Sequence, residues 1–220
     1  MKNPWTTISW DNLIADCDKE ALDNLKEKKR SKIQTSTLPE PFMGNVRSNV
    51  VLLIMNPGKE DDNFYRSVTL LNKIMDNLCH TARTFMWLDE EILDESGNVH
   101  GGCKWWHKRT KCLRKENLPA NFFVLQFFPY HSTRGMNFPK LPSDEYRNQL
   151  LSDAMDNGKL IVIMRAKNRW FGIKENNLGE RLRNYSKKII LASPQNVTLS
   201  PNNMKDNWHL FETELKKAVE

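Results

Sequence analysis

Four short stretches gather the side chains that could do chemistry: MNPGKE at 55–60, QFFPYHSTRG at 126–135, RAKNRWF at 165–171 and SPQNVTLSPNN at 193–203. Together they hold carboxamides, hydroxyls, one histidine, arginines and several aromatic rings, but no pair of carboxylates. That set is poor for holding a metal or for carboxylate acid–base catalysis, which need clustered ligands or paired acids. It suits a planar polar ring, because amides offer a donor and an acceptor in one plane and aromatic faces stack on any base. Asn56 can orient a water by hydrogen bonding, although an amide has no useful basicity. Gln126 carries both donor and acceptor, so its amide can turn either one toward such a ring. Taken alone, Asn56-Pro57-Gly58 also reads as a turn chosen for its backbone angles, and Gln126 as a polar residue closing a buried strand.

Each stretch overlaps or follows a short apolar run: VVLLIM (50–55), FFVLQFF (122–128), LIVIM (160–164) and IILA (189–192). The runs are continuous rather than alternating, the pattern of strands buried on both faces of a parallel sheet. Helical spacing follows each of them, at about 66–80, 143–157, 176–186 and 204–219, with Ser143 as an N-cap ahead of an acidic first turn. The βαβαβαβ pattern predicts an α/β fold, a three-layer α/β/α sandwich around a central four-stranded parallel sheet. Ligands of such sheets lie beyond the carboxyl ends of the strands, where the four stretches fall. Residues 11–30 read as one helix with Leu13, Ile14, Cys17, Ala21, Leu22 and Leu25 on its apolar stripe, broken by TSTLPEPFMGN at 35–45. A single domain is expected over 1–220, with 1–37 as an N-terminal helical segment and 81–118 as a basic, aromatic helical excursion.

The 220 residues, 39% hydrophobic, can bury one substantial core. The net charge of +6 is concentrated in KEKKRSK (26–32) and HKRTKCLRK (107–115), which favours polyanions or forms solvated helix faces. Four cysteines without a C-x-x-C pair suggest reduced thiols. His100, Cys103, His107 and Cys112 could surround zinc, but their spacing fits no structural class, and no metal is expected. In that region Trp105 and Trp106 are expected to pack on the sheet, leaving Lys104, Lys108, Arg109 and Lys111 for DNA. No run approaches the ~18–20 apolar residues of a membrane span, and the first residues lack an apolar leader, so a cytoplasmic location is expected.

MNPG (55–58), FVLQ (123–126) and SPQN (193–196) resemble, in order and spacing, three motifs of the uracil-DNA glycosylase superfamily, over roughly residues 38–219. LPEPFMGN, KWWHKR, FFPYHS and LSPNN look like a less characterised bacterial branch. The resemblance implies a monofunctional DNA glycosylase, acting on DNA as a monomer without a cofactor, that flips a base and leaves an abasic site. It implies that Asn56 orients the attacking water and that Gln126 stands where the family reads the base with Asn. Gly58, Phe64 or Tyr65, and Asn196 would complete the base site. Lys59, Ser132, Arg165, Lys167, Arg169 and Ser193 would contact DNA, and Leu199 would fill the space left by the flipped base. The family's histidine two residues before SP is absent, Leu191 and Ala192 standing there instead, so His131 is the candidate to assist base departure. Gly58 replaces the tyrosine of members that exclude 5-substituted pyrimidines. Together these departures imply a pyrimidine bulky at C5, such as glucosylated 5-hydroxymethylcytosine in phage DNA, and hence phage defence. Repair of uracil, or a non-catalytic module capturing a flipped base, are the alternatives.

Overall fold

A computed structural model of the chain describes residues 1–59, 68–89, 92–93, 96–133, 137–193 and 195–218. Two short helices, α1 (Lys19–Asp23) and α2 (Glu27–Arg30), precede strands β1 (Ile33–Gln34), β2 (Phe42–Gly44) and β3 (Val50–Ile54). Helices α3 (Val68–Leu78), α4 (Met86–Asp89), α5 (Gly101–Arg109) and α6 (Lys111–Lys115) lead to β4 (Phe123–Gln126) and β5 (His131–Ser132). The chain continues through α7 (Asp144–Asp156), β6 (Leu160–Ile163), α8 (Lys167–Trp170), α9 (Leu178–Asn184), β7 (Lys188–Ile190), α10 (Pro201–Met204) and α11 (Trp208–Lys216).

The four apolar runs become β3, β4, β6 and β7, and they pair in parallel in the order β4-β3-β6-β7. Every residue of β3, β4 and β6 is buried, as continuous apolar runs require. Helices flank this sheet, α11 packing on β3 and α7 on β4 and β6, as in a three-layer α/β/α sandwich. The sheet is not purely parallel with four strands, however. β2 adds a fifth strand, antiparallel to β4, with Phe42 opposite Leu125. Two prolines in LPEPFMGN hide it from sequence reading, but an edge strand tolerates proline just outside its ladder. Gly44 ends it at φ +87, where a Cβ would collide with the Phe122 carbonyl. The Gly44 amide donates to Asn77 Oδ1 at 2.6 Å, which ties the edge to α3.

The single helix expected over 11–30 is not formed. A 3-10 turn at Asp16–Asp18 precedes α1, and extended Lys26 separates α1 from α2. Tertiary bonding overrides the stripe: Asp18 is fully buried and accepts from Tyr130 OH (2.9 Å), Ser143 N (2.9 Å) and Ser143 Oγ (2.7 Å). Ser143 does precede α7, but its hydroxyl serves Asp18 and does not cap its own helix. Burial and the neighbouring Asp18 push the Tyr130 phenol well above its usual range, so it stays a neutral donor. This network fixes Tyr130 beside His131. β5 then pairs with β1, placing His131 opposite Gln34.

His80, at the end of α3, adopts φ 58, stacks on Phe42 at 4.4 Å and sets Nε2 2.8 Å from Tyr146 OH. Burial lowers its pKa from 6.5 to about 4, so the ring is neutral in the fold. Its stabilisation is fully present above pH 6.5, the unfolded value, and is lost as pH falls through 4. Urea unfolding between neutral and acid pH should show wild type losing more stability than His80→Asn, a residue that accepts the left-handed backbone. Equal losses would contradict this assignment.

Candidate functional site

The carboxyl end of β3 is held before the chain leaves it. The Ile54 carbonyl accepts from Phe127 N (3.1 Å) and Trp170 Nε1 (3.2 Å), and the Met55 carbonyl accepts from Phe128 N (2.8 Å). Asn56 follows at once. Its Nδ2 donates to the Pro57 carbonyl (2.5 Å) and to Ser132 Oγ (2.9 Å). A carbonyl can only accept, so these bonds fix which end of the amide is nitrogen. Among the described residues no hydrogen bond reaches Asn56 Oδ1, which leaves a held acceptor for a water.

Asn56 lines a cavity of about 570 Å³ at the strand ends, together with Gly58, Lys59, Gln126, His131, Ser132 and Arg165. The structure thus brings these sequence candidates to one place. Lys167, Arg169, Ser193, Asn196 and Leu199 do not line it. Phe64 and Tyr65 lie outside the described residues.

Gln126 is 3% exposed, and its Oε1 has no partner among the described residues. A buried polar atom left unpaired costs about 1–3 kcal/mol, so this one is a place for a water or a ligand to supply the missing bond. His131 is differently placed from a group aimed freely at a base. Its Nδ1 is 2.7 Å from the Gly58 carbonyl, which requires a proton on that nitrogen, and its Nε2 lies 3.5 Å from Glu40 Oε1. Both ring nitrogens face oxygens. As positioned, His131 clamps the Gly58 loop and accompanies a carboxylate.

The opposite wall comes from the 81–118 excursion: Trp87, His100, Trp105 and Trp106 all line the cavity. Trp106 also packs inward on Phe85 (4.6 Å) and Phe122 (5.9 Å). Trp105 is only partly buried, and the guanidinium groups of Arg109 and Arg165 lie over its ring at 5.2 and 5.7 Å. Lys104, Lys108 and Lys111 are exposed on this excursion. His100 stacks on Trp87 at 4.5 Å and caps α5 by accepting from Gly102 N at 2.9 Å. No three His, Cys, Asp or Glu side chains form a metal-binding group among the described residues.

The last loop turns away from the cavity. Ser193 Oγ accepts from Asn196 N (3.1 Å), while Asn196 Oδ1 accepts from Arg109 (3.2 Å) and Thr198 (3.0 Å). Asn203 donates to the carbonyls of Asn196 (2.6 Å) and Thr198 (2.8 Å), closing the loop on itself. Asn196 therefore meets the end of α5 and no base site. Leu199 is wholly buried, with its amide bonded to the Arg109 carbonyl at 2.9 Å. That corrects the expectation of an exposed wedge: an apolar residue in a polar loop has been drawn under it. Lys167 is exposed, and Arg169 lies over Phe127 and Phe138 at 5.9 and 5.1 Å, with a hydrogen bond to Asn137 at 3.3 Å.

Glu40 is the site residue that the four loops did not include. It is 5% exposed and lines the cavity, yet among the described residues no hydrogen bond reaches its carboxylate. Its signal in the sequence was a charge between two prolines in the otherwise apolar LPEPF. The chain matches no protein-family model, no curated protein and no solved structure.

Proposed function

We propose that the protein is a monofunctional DNA glycosylase of the uracil-DNA glycosylase type that flips out and hydrolytically excises a cytosine bulky at C5, such as glucosylated 5-hydroxymethylcytosine of phage DNA. The observation that carries this reading is one cavity holding both Asn56 Oδ1, a fixed acceptor for water, and Gln126, whose buried Oε1 has no partner among the described residues. The motif order, the parallel strand ends and the exposed lysines of the excursion support it.

The chemistry needs little from the protein beyond position. Asn56 Oδ1 accepts a hydrogen bond from water and holds its oxygen toward the anomeric carbon of the flipped nucleotide. As the C1′–N1 bond breaks, its electron pair stays with the base and the sugar develops oxocarbenium character. The water oxygen then bonds to C1′ and its proton passes to solvent, since an amide cannot keep it. No lysine is needed, and the product is an abasic site. Two observations support a large base: a Cβ built on Gly58 meets nothing within 4 Å, and about 570 Å³ falls in the ~300–1,000 Å³ range of pockets that take ligands larger than a bare pyrimidine. The partly exposed Trp105 ring offers apolar area to a sugar attached at C5.

Matched single strands and duplexes carrying uracil, 5-hydroxymethylcytosine or its glucosylated form, treated with protein and then alkali, test the reading. Alkali-labile sites are expected with the glucosylated base. Cleavage at uracil alone would return the protein to uracil repair, and binding without alkali-labile sites would make it a base-capturing module.

A further inference from the structure

Glu40 reaches the cavity by an unusual route. It precedes β2, the antiparallel edge strand, so the amino end of that strand lies beside the carboxyl ends of its parallel neighbours. Pro39 and Pro41 restrict the backbone on either side, and the Glu40 amide is held by the Pro129 carbonyl at 2.9 Å. The Pro41 carbonyl accepts from Gln126 N at 2.9 Å, which sets Glu40 next to the residue that pairs with Gln126. Both side chains line the same cavity.

A carboxylate buried to this degree is costly unless it is paired. Here its Oε1 has the His131 ring at 3.5 Å. We infer that Glu40 is the residue that selects a 4-amino pyrimidine over a 4-oxo pyrimidine, its carboxylate accepting a hydrogen bond from the exocyclic amino group of the flipped base.

The reasoning turns on what each group can do. Gln126 cannot discriminate alone, since its amide can rotate to present either donor or acceptor. An ionised Glu40 has only lone pairs to present. Against a 4-amino group these accept; against a 4-oxo group they oppose the oxygen's own lone pairs and leave polar groups of the site unpaired. Carboxylates accepting from the cytosine amino group are an established pairing in base recognition. His131 is then a positioning residue that holds the carboxylate in place.

The inference rests on the glycosylase reading, and the test separates the two. Wild type and Glu40→Gln are given single strands that carry glucosylated 5-hydroxymethylcytosine or glucosylated 5-hydroxymethyluracil, two bases alike at C5 and different at position 4. Single-turnover release should favour the 4-amino base by at least ~10²-fold in wild type. In Glu40→Gln that preference should fall at least ~10-fold, mainly through faster release of the 4-oxo base, because glutamine can turn its NH2 toward the oxygen. Equal slowing of both bases with the preference unchanged would overturn the inference. So would a wild-type preference below ~10-fold or in the opposite sense, a result that stands even where Glu40→Gln does not fold. Release of neither base by wild type would overturn the glycosylase reading itself.

Discussion

Asn56→Ala should lower single-turnover base release by about 10²–10³-fold while leaving affinity for the same strand within a few-fold of wild type, the loss expected when one preorganised hydrogen-bonding group is removed. The amide nitrogen of Asn56 is occupied by Pro57 and Ser132, so the side chain can offer the reaction only Oδ1. A water held there is oriented before the sugar develops charge, and that contact is strongest in the transition state. Fluorescence anisotropy with a labelled strand reads binding, and rapid-quench kinetics reads release. An unchanged release rate would remove Asn56 from the mechanism. A parallel collapse of binding would make it a ligand contact that does not act selectively on the transition state.

The second large effect is expected at Gly58. Its φ lies outside the left-handed region and a Cβ there meets nothing within 4 Å, so Gly58→Tyr should fold normally and keep the carbonyl that His131 grips. Its ring would occupy space that a C5 substituent needs. Release of the glucosylated base should fall by about 10²-fold or more, while release of an unsubstituted pyrimidine should hold or rise. Comparing kcat/KM for the two bases in both proteins checks it. A proportional loss on both would show that position 58 does not face C5.

Much of the sheet was legible because β3, β4 and β6 lie in continuous apolar runs, as burial on both faces requires; the edge strand β7 departs from that expectation, with Ile189 buried but Ile190 exposed. The same logic located Asn56, Gln126 and Arg165, each at or just past the carboxyl end of a parallel strand. It failed at β2. A three-residue strand preceded by two prolines has too little sequence to show a period, and its antiparallel direction delivers Glu40 from the amino side, where carboxyl-end reasoning does not look. The N-terminal segment misled for another reason. Its apolar spacing suggested a stripe, but Cys17 is exposed and the buried Asp18 answers to Tyr130 and Ser143, more than 100 residues away in the chain. Leu199 shows the limit of reading exposure from neighbours: Asn203 and Arg109 fold a polar loop around it, and no local pattern announces those bonds. The excursion was legible in part: Trp106 packs inward as expected, whereas Trp105, expected on the sheet, stands partly exposed on the cavity wall, and nothing in 81–118 pointed to Trp87 beside it.

The central claim is that an intact base leaves DNA by hydrolysis. It is tested most directly by mass analysis of the small molecules released from DNA containing glucosylated 5-hydroxymethylcytosine, counted against alkali-labile sites in the same sample. The account predicts free glucosylated 5-hydroxymethylcytosine in a one-to-one ratio with those sites. Release of glucose with the cytosine still in the strand, or no release at all, would contradict it.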